Sequence, residues 1–242
     1  MQENAYDALA DWFEYLNDDC GYEEWSQYLL SLLSRYHAGK EGLDIGCGSG
    51  YFTRQLYKAG YTVTGVDVSL PMLEKATALA REAGCNIPFV LGDITKLRTP
   101  KRVDFAVAVN DCINYVTKEK LITAFKKVGG SLKKGGLFFF DISSEKKLKN
   151  LPPVSIDDRE NVTYIAFERV EEEKVTLEVS LFIREKDGKY TRRDETHTQY
   201  IYSEEEIANA LSSAGFKLLL SRGHLGKERE NADRIEFLAE RI

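Results

Sequence analysis

Residues 43–50 read Leu-Asp-Ile-Gly-Cys-Gly-Ser-Gly, and this stretch constrains the chain more than any other. The apolar run Gly42-Leu43-Asp44-Ile45 predicts a buried strand. Gly46, Gly48 and Gly50 follow at alternate positions, as they do where a backbone turns tightly and meets a ligand with no Cβ in the way. Tyr51-Phe52-Thr53-Arg54-Gln55-Leu56 then carries a helical pattern. The first unpaired amides of that helix point at whatever sits above the turn. Strand, glycine turn and helix together predict a nucleotide-type pocket built on an α/β sheet.

The spacing narrows the ligand. The dinucleotide fingerprint G-x-G-x-x-G requires a third glycine at position 51, which is Tyr51. What stands here is Asp44-x-Gly46-x-Gly48-x-Gly50. A carboxylate two residues before the first glycine serves a pyrophosphate poorly and suits a cation. Asp44 and Tyr51 therefore disfavour an NAD-linked oxidoreductase. The pattern D-x-G-x-G-x-G resembles the first motif of class I S-adenosylmethionine-dependent methyltransferases, whose cofactor carries a sulfonium and an ammonium. That resemblance implies S-adenosyl-L-methionine as cofactor, with Asp44, Gly46, Cys47 and Gly48 at its binding turn.

The resemblance continues in order to residue 142. Tyr61 to Asp67 predicts a second strand ending in an acid. Asp67 lies about 20 residues past the first glycine, the separation expected of a carboxylate that accepts ribose hydroxyls. Ser69 as N-cap and Pro71 in the first turn suit the next helix without help from Asp67. The resemblance places Val68 among the cofactor-binding residues and Met72 on the adenine face; a lone Met on a helix also serves as core filler. Ile87 to Asp93 predicts a third strand. By resemblance Asp93 bonds the adenine amino group and Ile94 lies against the ring, while an Asp closing an Asx-turn is the structural alternative. Val103 to Asp111 predicts a fourth strand, apolar as one buried on both faces should be. It stops at Asn110-Asp111-Cys112-Ile113-Asn114-Tyr115, and polar groups past the carboxyl end of a central strand sit where open α/β sheets place ligands. The resemblance implies that this corner, Asn110 included, faces the methionine part of the cofactor. Gly136 to Ile142 is the fifth strand, after Leu132-Lys133-Lys134-Gly135.

Outside that span the pattern changes. Residues 4–17 and 22–36 carry apolar side chains at helical steps: Tyr6, Leu9, Phe13 and Leu16, then Trp25, Tyr28, Leu29, Leu32 and Leu33. The resemblance implies a lid that closes over the cofactor, with Tyr6, Tyr15 and Trp25 as candidate contacts. Phe13-Glu14 stands where many relatives carry Tyr-Asp. After residue 142 the strand–helix alternation ends. Residues 146–158 read as a charged connector with Pro152-Pro153. Three alternating runs, 161–170, 174–185 and 189–202, predict an inserted antiparallel sheet, with Asp187-Gly188 as a hairpin signal. Ser203 and Glu206 form a capping box for a helix to about Ser213, followed by strands over 216–222 and 234–241. The expected architecture is α/β: a seven-stranded, mostly parallel Rossmann-like sheet with helices on both faces and the last strand antiparallel, an N-terminal helical cap, and the inserted sheet. The expected organisation is a lid over 1–40, a cofactor-binding domain over 41–145 and 203–242, and an insertion over 146–202 covering the substrate site.

The 242 residues suffice for one large domain or a domain with an insertion. A net charge of −6 argues against a general nucleic-acid binder. Cys20, Cys47, Cys85 and Cys112 show no C-x-x-C spacing, and the three histidines are far apart, so no metal site is expected. With no signal-like segment and no long apolar run, a soluble cytoplasmic chain without membrane contact is expected. The sequence leaves an oligomer open without indicating one.

The expected reaction is methyl transfer to an O or N of a small-molecule acceptor. A hydroxyl or protonated amine needs a base, whereas a deprotonated acceptor needs none. Period-two alternation puts Arg193, Glu195, His197, Gln199 and Ile201 on one face of the last inserted strand, either facing solvent or walling the substrate pocket. His197 is the candidate base, with Asp111 and Tyr115 as rivals. A tRNA or protein methyltransferase is a second reading. Against it stand the acidic charge, the lack of an appended RNA module, and Asn110-Asp111-Cys112-Ile113 in place of an N-P-P-Y-type tetrapeptide. A non-catalytic S-adenosylmethionine-binding protein is a third.

Overall fold

The structure, a computed structural model, describes Tyr6 and residues 8–242. Its centre is β1 (Glu41–Ile45), which pairs in parallel with β2 (Thr62–Asp67) on one side and β4 (Val103–Ala108) on the other. β3 (Phe89–Leu91) flanks β2, and β5 (Leu132–Ser143) flanks β4, both in parallel. β11 (Arg234–Arg241) runs antiparallel to β5 and to the edge strand β10 (Phe216–Gly223). The order is β10-β11-β5-β4-β1-β2-β3, a mostly parallel seven-stranded sheet with one reversed strand, as expected. The order reverses between β1 and β4, and the crevice at their carboxyl ends is where such sheets bind ligands.

Apolar residues on both faces make the central strands core. Phe138 and Phe140 pack on one side with Phe125 and Val128 of α5 (Leu121–Ser131) and Ile207 and Leu211 of α7 (Glu204–Ser213). Phe139 points to the other side, against Trp25, Leu29 and Leu33 of α2 (Tyr22–Arg35) and Phe52 and Leu56 of α3 (Tyr51–Lys58). α4 (Leu70–Glu82) lies over β2 and β3, capped by the Ser69 side chain as its sequence suggests.

Two expectations need correction. The helix expected over 4–17 falls partly on residues 4, 5 and 7, outside the described set; in the rest only α1 (Phe13–Leu16) is α-helical. The Ala8 and Leu9 amides bond the Glu195 carboxylate instead of carbonyls of a helix, and Tyr6 takes a positive φ of 72°. Long-range hydrogen bonds override the local helical period there. The connector over 146–158 contains α6 (Glu145–Lys149) and a strand, β6 (Val154–Asp158). With β7 (Val162–Val170), β8 (Lys174–Arg184) and β9 (Tyr190–Tyr200), the inserted sheet has four antiparallel strands rather than three. β6 is an edge strand with exposed Val154 and Ile156, so it lacks the apolar signature of a covered strand.

The segment around α1 lies on the inserted sheet. Leu9 packs with Val162 and Leu181, and Tyr6, Trp12 and Leu16 border them. Arg159 fastens its far end, bonding the Tyr15 and Leu16 carbonyls and the Asp18 carboxylate. Among the described residues no helix is long and apolar enough to cross a membrane.

Candidate active site

The glycine turn after β1 lies beneath a cavity of about 300 Å³ at the sheet's carboxyl edge. Gly46 has a φ of 69°, and a Cβ there would meet the Cys112 sulfur at 2.4 Å, so both conformation and space demand glycine. Of the residues expected to bind cofactor, Asp44, Gly46, Cys47, Gly48, Asp67 and Val68 line the cavity. So do Met72, Asp93, Ile94, Asn110 and Tyr6, and the candidate catalytic residue Tyr115. Tyr15 does not: it is 38% exposed, with its ring beneath the Arg159 guanidinium at 5.2 Å. Trp25 is core, packed on Phe52 with Arg234 over its ring at 4.8 Å. Sequence reasoning overlooked Phe13, Tyr22, Tyr51, Phe52, Thr95, Thr117 and Lys120 as lining residues. Tyr51 and Phe52 were within reach of it, because they open the helix that the glycine turn feeds.

Three carboxylates crown β1, β2 and the end of β3. Asp44 is fully buried; one oxygen accepts from the Thr53 hydroxyl at 2.5 Å, and Oδ1 has no hydrogen-bond partner among the described residues. Burial pushes its carboxyl up to about 7, against the Thr53 bond. Asp67 accepts from the amides of Gly48 (2.8 Å) and Ser69 (2.9 Å), which ties the glycine turn to β2. Asp93 Oδ1 accepts from the amide and hydroxyl of Thr95, both at 2.8 Å, so the Asx-turn is present and Asp93 still lines the cavity. Met72 likewise is 1% exposed and lines it. Among the described residues no group of three or more His, Cys, Asp or Glu is placed to hold a metal ion.

The corner after β4 is held under strain. Asn110 and Asp111 are consecutive left-handed residues, with φ of 62° and 53°. Such conformations persist where the surroundings over-determine them. Here both amides donate to the buried Asp141 carboxylate, at 2.7 and 2.8 Å. Arg234, on β11, pairs with Asp141 and, at 3.2 Å, with Asp111. Burial pushes the Asp141 carboxyl up, and the Arg234 guanidinium opposes the shift. Asp111 also accepts from Gln199 at 2.6 Å. Its carboxylate is thus engaged by Arg234 and Gln199 and does not line the cavity, a position that fits a structural anchor better than a base.

The expected face of β9 is largely buried rather than a solvent surface, and none of its residues lines the cavity. Glu195, His197 and Gln199 are all buried, and only Arg193 reaches solvent. His197 does not itself line the cavity; Tyr115 stands between. The Nε2 of His197 lies 2.6 Å from Glu195 Oε1, and its Nδ1 lies 3.3 Å from the Tyr115 hydroxyl. Where Nε2 donates to Glu195, a neutral imidazole presents its Nδ1 lone pair to Tyr115. Tyr115 can then donate to His197 and accept from Tyr6 (2.7 Å) and Gln199 (3.3 Å). Burial holds the Tyr115 hydroxyl well above its ordinary titration range. The neighbouring Asn114 fixes this corner to both sheets, donating to the Tyr200 carbonyl (2.9 Å) and accepting from the Ser143 amide (2.9 Å).

The opposite rim is latched by Glu14, which accepts from the Ser49 hydroxyl (2.6 Å) and from Arg54 (2.8 Å). The Phe13-Glu14 pair therefore divides its work: Phe13 lines the cavity and Glu14 ties its segment to the glycine turn.

A doubly wound sheet with an acid-tipped, glycine-floored cavity at its switch point defines a nucleoside-cofactor enzyme of the Rossmann-like class. A methyltransferase-domain family model matches residues 43–136. A methyltransferase-family protein of Geobacillus sp. (strain WCH70) is 30% identical over 98% of this chain and 100% of its own length. The crystal structure of an S-adenosylmethionine-dependent methyltransferase from Clostridium acetobutylicum ATCC 824 superposes with a TM-score of 0.88, at 27% identity over 98% of this chain and 99% of that one. The sugar N-methyltransferase KedS8 from Streptoalloteichus sp. ATCC 53650 shares the fold, with a TM-score of 0.85 at 16% identity over 100% and 96% of the two chains. The chain belongs to the class I S-adenosylmethionine-dependent methyltransferases. The cavity fits that cofactor: the unpartnered, buried Asp44 oxygen is complementary to a cation and would be costly against an anion.

Proposed function

We propose that this enzyme methylates an N or O of a small-molecule acceptor held between the cofactor and the inserted sheet. Asp44, the Gly46–Gly48 turn and Asn110 receive the amino-acid end of the cofactor. Asp67 receives the ribose, and Asp93, Ile94, Val68 and Met72 receive the adenine. Bound there, S-adenosylmethionine supplies a methyl group already activated on a sulfonium. The chain's own residues hold the acceptor, exclude water and take up a proton.

The observation that carries this reading is the hydrogen-bonded line from the cavity to Glu195. Tyr115 faces the cavity, His197 stands behind it with Nδ1 toward the Tyr115 hydroxyl, and Glu195 lies against Nε2. As the acceptor's N–H or O–H proton passes to the Tyr115 oxygen, the Tyr115 proton passes to His197 Nδ1, and Glu195 stabilises the imidazolium. Tyr115 keeps its proton at rest, so it relays rather than acts as a phenolate. Tyr6, Phe13 and Tyr115 give the acceptor an aromatic enclosure. Among the described lining residues Lys120 is the single cation, against Asp44, Asp67 and Asp93. That balance favours a neutral or amine-bearing small molecule over RNA. The shared fold with a sugar N-methyltransferase agrees with such an acceptor.

The test is transfer of tritiated methyl from S-adenosylmethionine into cell extract fractionated by size. Label in the small-molecule fraction is expected, and label in RNA or protein alone would overturn the reading. His197→Ala should cut that transfer while calorimetric cofactor affinity stays near the parent's. Equal transfer in mutant and parent would remove His197 from the proton path.

A further inference from the structure

The Glu195 carboxylate is used twice. Oε1 holds His197 Nε2 at 2.6 Å, and Oε2 accepts from the backbone amides of Ala8 at 2.8 Å and Leu9 at 3.4 Å. The same segment presses the Tyr6 ring edge-on against the imidazole, with centroids 4.6 Å apart at 81°. The Glu195 side chain is 1% exposed. A buried carboxylate needs such donors to compensate its lost hydration.

We propose that Glu195 is a positioning residue that makes the tautomer of His197 conditional on closure of the N-terminal strap, residues 6 and 8–16. With the strap seated, Oε2 is taken up by the Ala8 and Leu9 amides and Oε1 is left to accept from Nε2, so His197 is held as the Nε2–H form and turns Nδ1 to Tyr115. When the strap lifts, Oε2 loses both amides, water reaches the carboxylate, and the Tyr6 ring leaves the imidazole. His197 is then free to rotate and to exchange tautomers. The strap also lines the cavity through Tyr6 and Phe13, so the movement that admits cofactor and acceptor is the one that disassembles the base. Proton uptake becomes possible only in the closed, water-excluding state. This deepens the proposed reading of His197, but the hold on strap and tautomer needs no acceptor to be measured.

Glu195→Gln separates the two duties. The Gln oxygen still accepts from the Ala8 amide, while its NH₂ now faces Nε2 and forces the proton to Nδ1. Three measurements on the whole chain decide the matter: ¹⁵N imidazole NMR of His197, amide exchange at Ala8 and Leu9, and the dissociation rate of S-adenosylmethionine by stopped flow. In the parent, Nε2–H and slow exchange are expected. Glu195→Gln should switch His197 to Nδ1–H and leave exchange and cofactor dissociation within about twofold of the parent. Glu195→Ala should give mixed tautomers, and both exchange and cofactor dissociation should accelerate about tenfold. Retention of Nε2–H in Glu195→Gln, or parental exchange in Glu195→Ala, would overturn the proposal. If His197→Ala transfers methyl as well as the parent while these signatures hold, the base assignment fails and the latch stands.

Discussion

Replacing Asp44 by Asn should stabilise the free protein at alkaline pH and weaken its grip on S-adenosylmethionine in the same stroke. Asp44 has no solvent exposure, one hydrogen bond to Thr53, and one oxygen without a partner among the described residues. Burial raises its carboxyl from an ordinary 3.8 to about 7, with the Thr53 bond opposing and Asp67 adding. The folded state therefore keeps a proton that the unfolded chain has released between those two values. Its contribution to stability is whole below the unfolded value, declines as pH rises through the window, and is lost above about 7. At about 1.4 kcal/mol per unit, the ceiling of that loss is roughly 4 kcal/mol. The Asn amide brings an NH₂ with no acceptor in place of the bare oxygen, costing about 1–3 kcal/mol. The variant should thus gain on the order of 1–3 kcal/mol over the parent at pH 8 and lose that advantage toward pH 4. Urea unfolding of both proteins across that range reads the difference, since titrating groups not coupled to Asp44 cancel. A parent-minus-variant difference that stays constant with pH would refute the reasoning. Cofactor affinity supplies the converse. A bound cation draws the proton off Asp44, so parent affinity should rise with pH up to about 7, while the variant should lose that slope and bind about tenfold weaker.

Other perturbations follow from the same geometry. Asp67→Ala should weaken cofactor binding by about 1–3 kcal/mol by calorimetry, since the acceptor proposed for the ribose is lost and the Gly48 turn loosens; unchanged affinity removes Asp67 from the site. Arg234→Met should cost about 3–5 kcal/mol in chemical denaturation, because the buried Asp141 and the part-buried Asp111 are left without their cation. A loss under 1 kcal/mol would show the pair to be dispensable to the corner after β4. Gly46→Ala should abolish cofactor binding and destabilise the fold, since its Cβ meets Cys112 at 2.4 Å; thermal melting with and without cofactor checks both.

Much of this architecture could be read from the chain because its signals are local. The glycine turn, the acids at strand tips and the capping box at Ser203 each lie within a few residues of what they organise. The whole seven-stranded sheet followed from that series. What stayed hidden depends on distant partners. Ala8 and Leu9 leave the helical pattern because Glu195, on β9, takes their amides. Arg234 reads in sequence as a charge opening a strand, and only the fold brings it to Asp141 and Asp111. The alternation of β9 gave the face shared by Glu195, His197 and Gln199, but burial of that face depends on the N-terminal strap and Tyr115 that cover it. β6 escaped notice because an uncovered edge strand after two prolines has no apolar run to betray it.

The account rests on positively charged S-adenosylmethionine lying across the acid tips of β1, β2 and β3, with its methyl aimed toward Tyr115. A crystal structure of the protein with this cofactor tests that most directly. The account predicts the ammonium or sulfonium beside Asp44, ribose hydroxyls on Asp67 and the adenine between Met72 and Ile94. A bound cofactor that leaves Asp44 Oδ1 unpaired, or that carries its ribose away from Asp67, would contradict it.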